Sequence, residues 1–312
     1  MTVNQNKLRL GISTCLLGEK VRYDGGHKLD AWIKNTLGQF TTFVPVCPEF
    51  ECGMSIPRPA MHLEGTKENP QLIQTHSKLN LTKQMKNWIK LQIKKLKSQD
   101  LDGYIFKTKS PSCGLNKIKI FSPSNKLISA AGVGLFAKQF TKSFPFIPVT
   151  DEEKLHNPKY REHFIELIFI MKRWRELILQ KKSLRNLMIF HNKHKLVIMS
   201  HSVSHFKKIE KMLTNNPKDC SKLYQIYHPK LVEVLRLHTT TKKHFKVLQH
   251  TLSYCKPYLT ADEKKELLSV LDQYHNDLLP LIVPIALIKH YAKKYQIEYL
   301  LEQYYFNPPL LS

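Results

Sequence analysis

The sequence predicts a layered α/β domain with a mostly parallel sheet over residues 1–150, followed by an all-α domain over residues 151–312. Three observations predict it. Short apolar runs rich in β-branched residues alternate with turns and helical segments through the first half, the mark of β–α units. The second half carries apolar residues at helical spacing almost throughout. Between them, Val149 hands over to the charged segment Asp151-Glu-Glu-Lys154, where the boundary is placed.

Taken in order, Leu8–Ser13 reads as a strand that turns at Thr14–Gly18, and His27–Gly38 as a helix. Thr41–Val46, rich in Val, Phe and Thr, is a second strand. The stretch with Pro48, Gly53, Pro57, Pro59, Gly65 and Pro70 reads as a loop. Ser77–Ser98 is a long helix: Leu81, Met85, Trp88, Ile89, Leu91, Ile93 and Leu96 give a mainly helical apolar spacing, and lysines occupy the other faces. Gly103–Lys107 and Lys117–Phe121 are further strands. Val133–Phe144 is a helix, and Phe146–Val149 closes the half as a strand.

In the second half, Tyr160–Lys181 is amphipathic and Ser183–Met212 is helical with a break near Ser200. Leu231–Lys256 reads as one long basic helix. Thr260-Ala-Asp-Glu263 is a capping box, in which Thr and Glu side chains each satisfy the other's backbone amide. Ile285–Lys294 and Glu298–Tyr305 end the chain. The longest apolar stretch, Leu278–Ile288, holds Pro280 and Pro284 and falls short of the ~20 residues a membrane span needs. The polar start, Met1–Arg9, has no apolar signal core, so a cytoplasmic, reducing setting is expected for the 6 cysteines.

The unusual quantity is charge. With 49 Lys and Arg against 25 Asp and Glu, the 312-residue chain carries +24, while its 42% hydrophobic content is ordinary for a globular protein. Residues 1–150 contribute +13 and residues 151–312 contribute +11, whereas 12 of the 15 histidines lie in the second half. An excess spread over both halves points to a polyanionic partner.

Three cysteines follow three predicted strands: Cys15 after the first, Cys47 directly after the second, and Cys113 in Ser110-Pro-Ser-Cys-Gly114 after the third. Ligands of open parallel sheets bind beyond the carboxyl ends of the strands, so the three thiols are expected to converge there. They could hold a zinc ion with a fourth ligand. They could hold a 4Fe-4S cluster whose fourth iron stays open as a soft Lewis acid. They could equally be small buried apolar groups. Cys52, five residues after Cys47, is a possible fourth ligand. Glu49 in Cys47-Pro-Glu49 is a candidate proton donor or base beside such a site.

At this point the residues resemble a known family. Ile12-Ser-Thr-Cys-Leu-Leu-Gly18, Val21-Arg-Tyr-Asp-Gly25, Val46-Cys-Pro-Glu49, Gly53 with Pro57-Arg58, and Lys109-Ser-Pro-Ser-Cys-Gly114 together resemble the thiouracil desulfidase family over about the first 150 residues. The second half is similar to a helical domain often fused to that family, and the fused form resembles bacterial enzymes that remove sulfur from 4-thiouridine in tRNA. The resemblance implies a 4Fe-4S cluster on Cys15, Cys47 and Cys113 with its fourth iron open, Glu49 as catalytic acid and Ser110 as catalytic serine. The implied chemistry is non-redox: water replaces the sulfur of a thiocarbonyl polarised by the open iron. Against the family pattern, Cys52 is an extra thiol and not a ligand, Cys255 is expected to pack, and Cys220 has no assigned role.

The helical half should then hold the tRNA. Arg185, Lys195, Lys242, Lys243 and Lys246 are the candidate phosphate contacts there, joined by Lys28 and Arg58 in the first half. Interleaved Tyr and Phe can stack on exposed bases. His191 and His194, and His201 and His205, stand at helical spacing, but no helical carboxylate completes a metal pattern, so phosphate, base or core hydrogen-bonding roles fit better. Two alternatives are the same chemistry on free thiouracil or thiolated nucleosides, and a non-catalytic basic RNA-binding protein with a Zn/Cys site. Nothing in the sequence fixes the oligomeric state.

Overall fold

The computed structural model describes residues 7–214 and 219–308. They form two compact units, one running to Arg175 and one starting at Glu176.

The first unit is built on a four-stranded, wholly parallel sheet. Its strands are β1 (Leu8–Ser13), β2 (Thr41–Val46), β5 (Gly103–Phe106) and β8 (Val149–Asp151), in the order β2-β1-β5-β8. β1 pairs with β2 from Leu8 opposite Thr41 to Ser13 opposite Val46, and with β5 from Leu10 opposite Gly103 to Ile12 opposite Ile105. Alternation sends Leu8, Leu10, Ile12 and Ile105 to one face, where they meet Leu16, Ile33, Leu37, Phe164 and Ile168. Tyr104 and Phe106 go to the other face and pack with Met85, Ile89, Phe136 and Phe140. Tyr104 stacks on Phe106 at 4.1 Å between ring centres, and it lies so close to β1 that a Cβ at Gly11 would stand 2.2 Å from its ring. Only glycine fits beneath that ring.

A second, mixed sheet has the order β4-β3-β6-β7: β3 (Met61–Gly65) and β4 (Pro70–Gln74) form one hairpin, β6 (Ile118–Phe121) and β7 (Leu127–Gly132) another, and β3 joins β6 in parallel. The sequence reading placed β3 and β4 in a loop and missed β7. The flanking helices are α1 (Pro48–Glu51), α2 (Thr82–Lys97), α3 (Leu135–Ser143), α4 (Glu152–Leu155) and α5 (Pro158–Ile178).

Three expectations are corrected. His27–Gly38 is not a regular helix but a π turn at Trp32–Thr36 followed by a 3-10 turn at Leu37–Phe40. The coil starts late because the buried Asp30 carboxylate accepts from Ile33 N at 3.0 Å. The expected Ser77 start of α2 moves to Thr82, because Asn80 Oδ1 accepts from Thr82 N at 3.0 Å. The last strand begins at Val149 and not at Phe146. Pro148 has no N–H to give the ladder, and offers only its carbonyl, to Tyr104 N at 2.9 Å.

The second unit is helical: α6 (Leu184–His201), α7 (Val203–Thr214), α8 (Cys220–Leu235), α9 (Thr241–Cys255), α10 (Ala261–His275), α11 (Ile282–Lys294) and α12 (Glu298–Leu301). The expected capping box at Thr260 and Glu263 is present. The single helix expected over Leu231–Lys256 is two. Thr240 turns its hydroxyl to Lys243 N and caps α9 afresh, as β-branched hydroxyl residues do where they compete with a helix. Among the described residues no helix is long and apolar enough to cross a membrane.

Candidate active site

The strand order sets β2, β1 and β5 side by side, and a cysteine follows each. Cys15 lies in the 3-10 turn Thr14–Leu17 that leaves β1, and its carbonyl accepts from Lys28 N at 2.9 Å. Cys47 stands between β2 and α1. Its N–H donates to Glu51 Oε1 at 2.7 Å, a carboxylate reaching back from the first turn of α1. Cys113 lies after β5 in a turn closed by Gly114 N donating to Ser110 O at 2.8 Å, with Ser110 Oγ accepting from Cys113 N at 3.1 Å.

The turn around Cys113 is fixed from three directions. Its carbonyls cap α3, with Phe136 N donating to Ser112 O at 2.9 Å and Leu135 N to Pro111 O at 3.1 Å. The contact is so close that a Cβ at Gly134 would meet the Ser112 carbonyl at 2.6 Å. At the stem, Glu152 accepts from Thr108 N at 2.9 Å and Thr108 Oγ1 at 2.6 Å, and pairs with the Lys107 ammonium. Ser13 Oγ at the end of β1 accepts from Lys107 N at 2.9 Å.

The third direction is Glu49. From α1 it crosses to the turn, where its Oε1 accepts from Ser112 Oγ at 2.7 Å and from Ser110 Oγ at 3.3 Å, while the two serine hydroxyls lie 2.9 Å apart. Its Oε2 is held by Arg58, through Nη2 at 2.5 Å and Nε at 3.1 Å. Arg58 also donates to Val21 O at 3.0 Å and Ser55 O at 3.3 Å, and its side chain is only 4% exposed. Arg58 is one of the expected substrate or tRNA contacts, and here it is held within the protein. Its guanidinium faces inward and is spent on Glu49 and two carbonyls. Ser112, a polar neighbour of the cysteines in the sequence with no role assigned to it, takes the shorter of the two serine bonds to Glu49. Its place between two assigned groups in Ser110-Pro-Ser-Cys113 was the available signal.

The thiols sense one another. Burial, then the neighbouring Cys47, pushes the Cys15 thiol up to about 11. Burial raises Cys47 as well, with Glu49 adding to it. Cys113 is pushed far up, by burial first and then by Cys47, Glu49 and Cys15. The described cysteines are all free. Among the described residues no three His, Cys, Asp or Glu side chains stand close enough to hold a single metal ion. Three desolvated cysteines on adjacent strand ends are a donor set of a kind that a metal–sulfide cluster takes, and bound metal would favour their thiolates. Cys52 instead donates to Glu49 O at 3.3 Å and packs against the apolar core. Cys255 is fully buried, in keeping with a packing role.

The basic candidates are placed as follows. Lys28, Arg185, Lys242 and Lys246 are exposed. Lys195 pairs with Glu210 at 3.0 Å, and the Lys243 ammonium donates to His238 O at 2.6 Å.

Comparison with known proteins divides the chain in the same way. Residues 10–152 match the family described as 2-thiouracil desulfurase, and residues 195–309 match a family described as protein of unknown function, DUF1722. An uncharacterized protein of Escherichia coli K12, YbgA, is 28% identical over 123 residues, spanning 39% of this chain and 73% of its own. The solved structure of the 4Fe-4S-dependent thiouracil desulfidase TudS is 27% identical, covering 48% of this chain and 94% of its own at a TM-score of 0.40. The stretch that matches the 2-thiouracil desulfurase model is thus the one that carries the three cysteine loops, and the stretch that matches DUF1722 lies within the helical unit.

Proposed function

We propose that the protein is an iron–sulfur-dependent desulfidase that removes sulfur from 4-thiouridine in tRNA, giving uridine and sulfide. The observation that carries the reading is the junction of the cysteine-bearing strand ends with a carboxylate–serine network, Glu49 to Ser112 and Ser110, in a chain of charge +24. The family match of residues 10–152 supports the reaction class, and the charge supports a polyanionic substrate.

Cys15, Cys47 and Cys113 would hold a 4Fe-4S cluster with its fourth iron open, which when bound supplies a soft Lewis acid for sulfur. The remaining work falls to the protein's own side chains. Arg58 fixes one oxygen of Glu49, so the other stays turned to the serines. Ser110 Oγ is placed to hold or pass a proton, to Glu49 directly at 3.3 Å or through Ser112 in two shorter steps of 2.9 and 2.7 Å. The balance is hydrolytic: a thiocarbonyl and water give a carbonyl and hydrogen sulfide, with no electron acceptor.

Reaching a base within tRNA requires drawing it out of its stack, at a cost of a few kcal/mol that contacts elsewhere must offset. Lys28, Arg185, Lys242 and Lys246, exposed as they are, can supply phosphate contacts, with Lys195 and Lys243 available once released from their present partners. The reducing cytoplasm suits both free thiols and the cluster. The alternative, free thiouracil as substrate, draws on the description of the matched family.

Sulfide release separates the two. Anaerobically purified protein is given thiolated tRNA or free 2-thiouracil at increasing salt. Release from tRNA that is faster and falls steeply with salt supports the proposal. Equal, salt-independent rates on both would refute the tRNA assignment.

A further inference from the structure

The helical unit contains a second polar cluster, unrelated to the thiols. His191 and Lys195 stand one turn apart on α6. Lys195 reaches Glu210 of α7 at 3.0 Å and lies 5.2 Å from the centre of the Phe206 ring, on which His191 stacks in parallel. His250 of α9 is within electrostatic reach of both Lys195 and Glu210, and Tyr299 of α12 within reach of Glu210. Tyr254 ties these last two together, edge-on to His250 and tilted against Tyr299 at 4.6 Å. The Lys195–Glu210 pair is thus the common neighbour of His191 on its own helix and of groups from two other helices, α9 and α12.

Three of those groups are unsatisfied. His191 Nε2, His250 Nε2 and the Tyr299 hydroxyl are buried without a hydrogen bond of good geometry among the described residues, the Tyr299 hydroxyl having that of Tyr254 beside it, which, after burial, raises its pKa. His191 is only 1% exposed, and its other nitrogen is taken by Tyr227 OH at 3.1 Å. With the Tyr227 hydroxyl assigned as donor to Nδ1, the ring proton of His191 sits on Nε2 and lacks an acceptor. Buried polar atoms are seldom left without partners, so three around one ion pair call for a missing acceptor. The pair itself is the opening to solvent, since the Lys195 and Glu210 side chains are 25% and 39% exposed.

We propose that His191, Lys195, His250 and Tyr299 bind a phosphate group, and that Glu210 occupies Lys195 until the phosphate takes its place. The donor count favours an oxyanion. Two imidazoles, a phenol and an ammonium are gathered around a pair that holds a single carboxylate, and that carboxylate is more exposed than the ammonium it pairs with and free to swing away. Arriving negative charge also answers the fields in the site. Burial and Lys195 hold His191 down to about 4 and lower His250, so both rings are neutral at pH 7 and offer one N–H each. The phosphate can be free or part of a nucleic acid, and the inference stands whether or not the desulfidation reading holds.

The test is binding of inorganic phosphate, and of a 5′-phosphorylated dinucleotide beside its unphosphorylated form, to the full-length protein. It is followed by calorimetry and by the imidazole nitrogen signals of His191 and His250. Either phosphate-bearing probe should bind and move both signals, identifying the source as free anion or nucleic-acid phosphate. Lys195→Met should weaken binding about tenfold or more, the loss expected for one charge-assisted hydrogen bond. Glu210→Gln should strengthen it and, since it only removes a charge at a half-exposed position, should fold. Failure of both phosphate probes to move the two signals, or no gain in Glu210→Gln, would overturn the proposal and leave the three atoms to buried water.

Discussion

The pairing of Arg58 with Glu49 makes a quantitative prediction. Arg58→Met removes the guanidinium and leaves Glu49, 13% exposed, without its ionic partner. Breaking a buried pair from one side costs about 3–5 kcal/mol. Glu49 keeps its bond from Ser112 at 2.7 Å and some contact with water, which places the loss near the lower end, about 3 kcal/mol. The carbonyls of Val21 and Ser55 also lose a donor. Glu49→Gln alone should cost less, and the double variant should recover about 2 kcal/mol of the sum through the missing charge–charge interaction. Urea unfolding under anaerobic, reducing conditions measures all four proteins. The assay reports the right unit, because Trp32, Trp88 and Trp174 all lie before the division at Arg175. A coupling energy under about 0.5 kcal/mol, the value of an exposed pair, would refute the view that Arg58 is committed to Glu49.

Other predictions follow from the same structure. Gly134→Ala drives a Cβ against the Ser112 carbonyl at 2.6 Å, so it should destabilise by about 1–3 kcal/mol and lower the iron content of reconstituted protein. Unchanged iron content would mean that the Cys113 turn is not held by α3. Cys15→Ala, Cys47→Ala and Cys113→Ala should each prevent cluster assembly, measured as iron and acid-labile sulfide, whereas Cys52→Ala should not. Burial lowers His191 and His228 to about 4, below the usual imidazole range, so the unfolded chain takes up protons that the folded unit refuses. Stability of the helical unit should therefore be complete above about pH 6.5 and fall as pH drops toward 4, by up to about 3 kcal/mol for His191. Urea unfolding followed by circular dichroism in phosphate-free buffer checks this, and His191→Phe should flatten the slope. Thr260→Ala should cost about 1 kcal/mol through loss of the capping box, read as a lower Tm.

In the parallel sheet β1 and β5 were legible because they are buried on both faces and read as continuous apolar runs, and the edge strand β2, with Thr42 and Pro45 exposed, through its Val, Phe and Thr content. Leu8–Ser13 and Thr41–Val46 appear in the structure with the bounds the sequence suggests. The small mixed sheet was not. β3 and β4 lie among Pro57, Pro59 and Pro70, whose local signal is a loop, and β7 is largely exposed and carries Ser-Ala-Ala-Gly. The two hairpins are joined only through β3 and β6, whose paired residues lie over 50 positions apart, which local periodicity cannot convey. The break between α8 and α9 was hidden because apolar spacing continues on both sides of it, and only the Thr240 cap interrupts the chain. In the site, strand ends gave the expected convergence of Cys15, Cys47 and Cys113, while the roles expected for Glu49 and Ser110 rested on the family resemblance. The inward turn of Arg58 depends on where the Val21 and Ser55 carbonyls lie, which is tertiary information.

The most direct test of the proposed function is the nucleoside composition of thiolated tRNA after incubation with anaerobically reconstituted protein. The account predicts that 4-thiouridine disappears and uridine and sulfide appear in equal amounts, and that this is abolished in Cys113→Ala and strongly reduced in Glu49→Gln. Unchanged 4-thiouridine in the presence of a fully loaded cluster would contradict it.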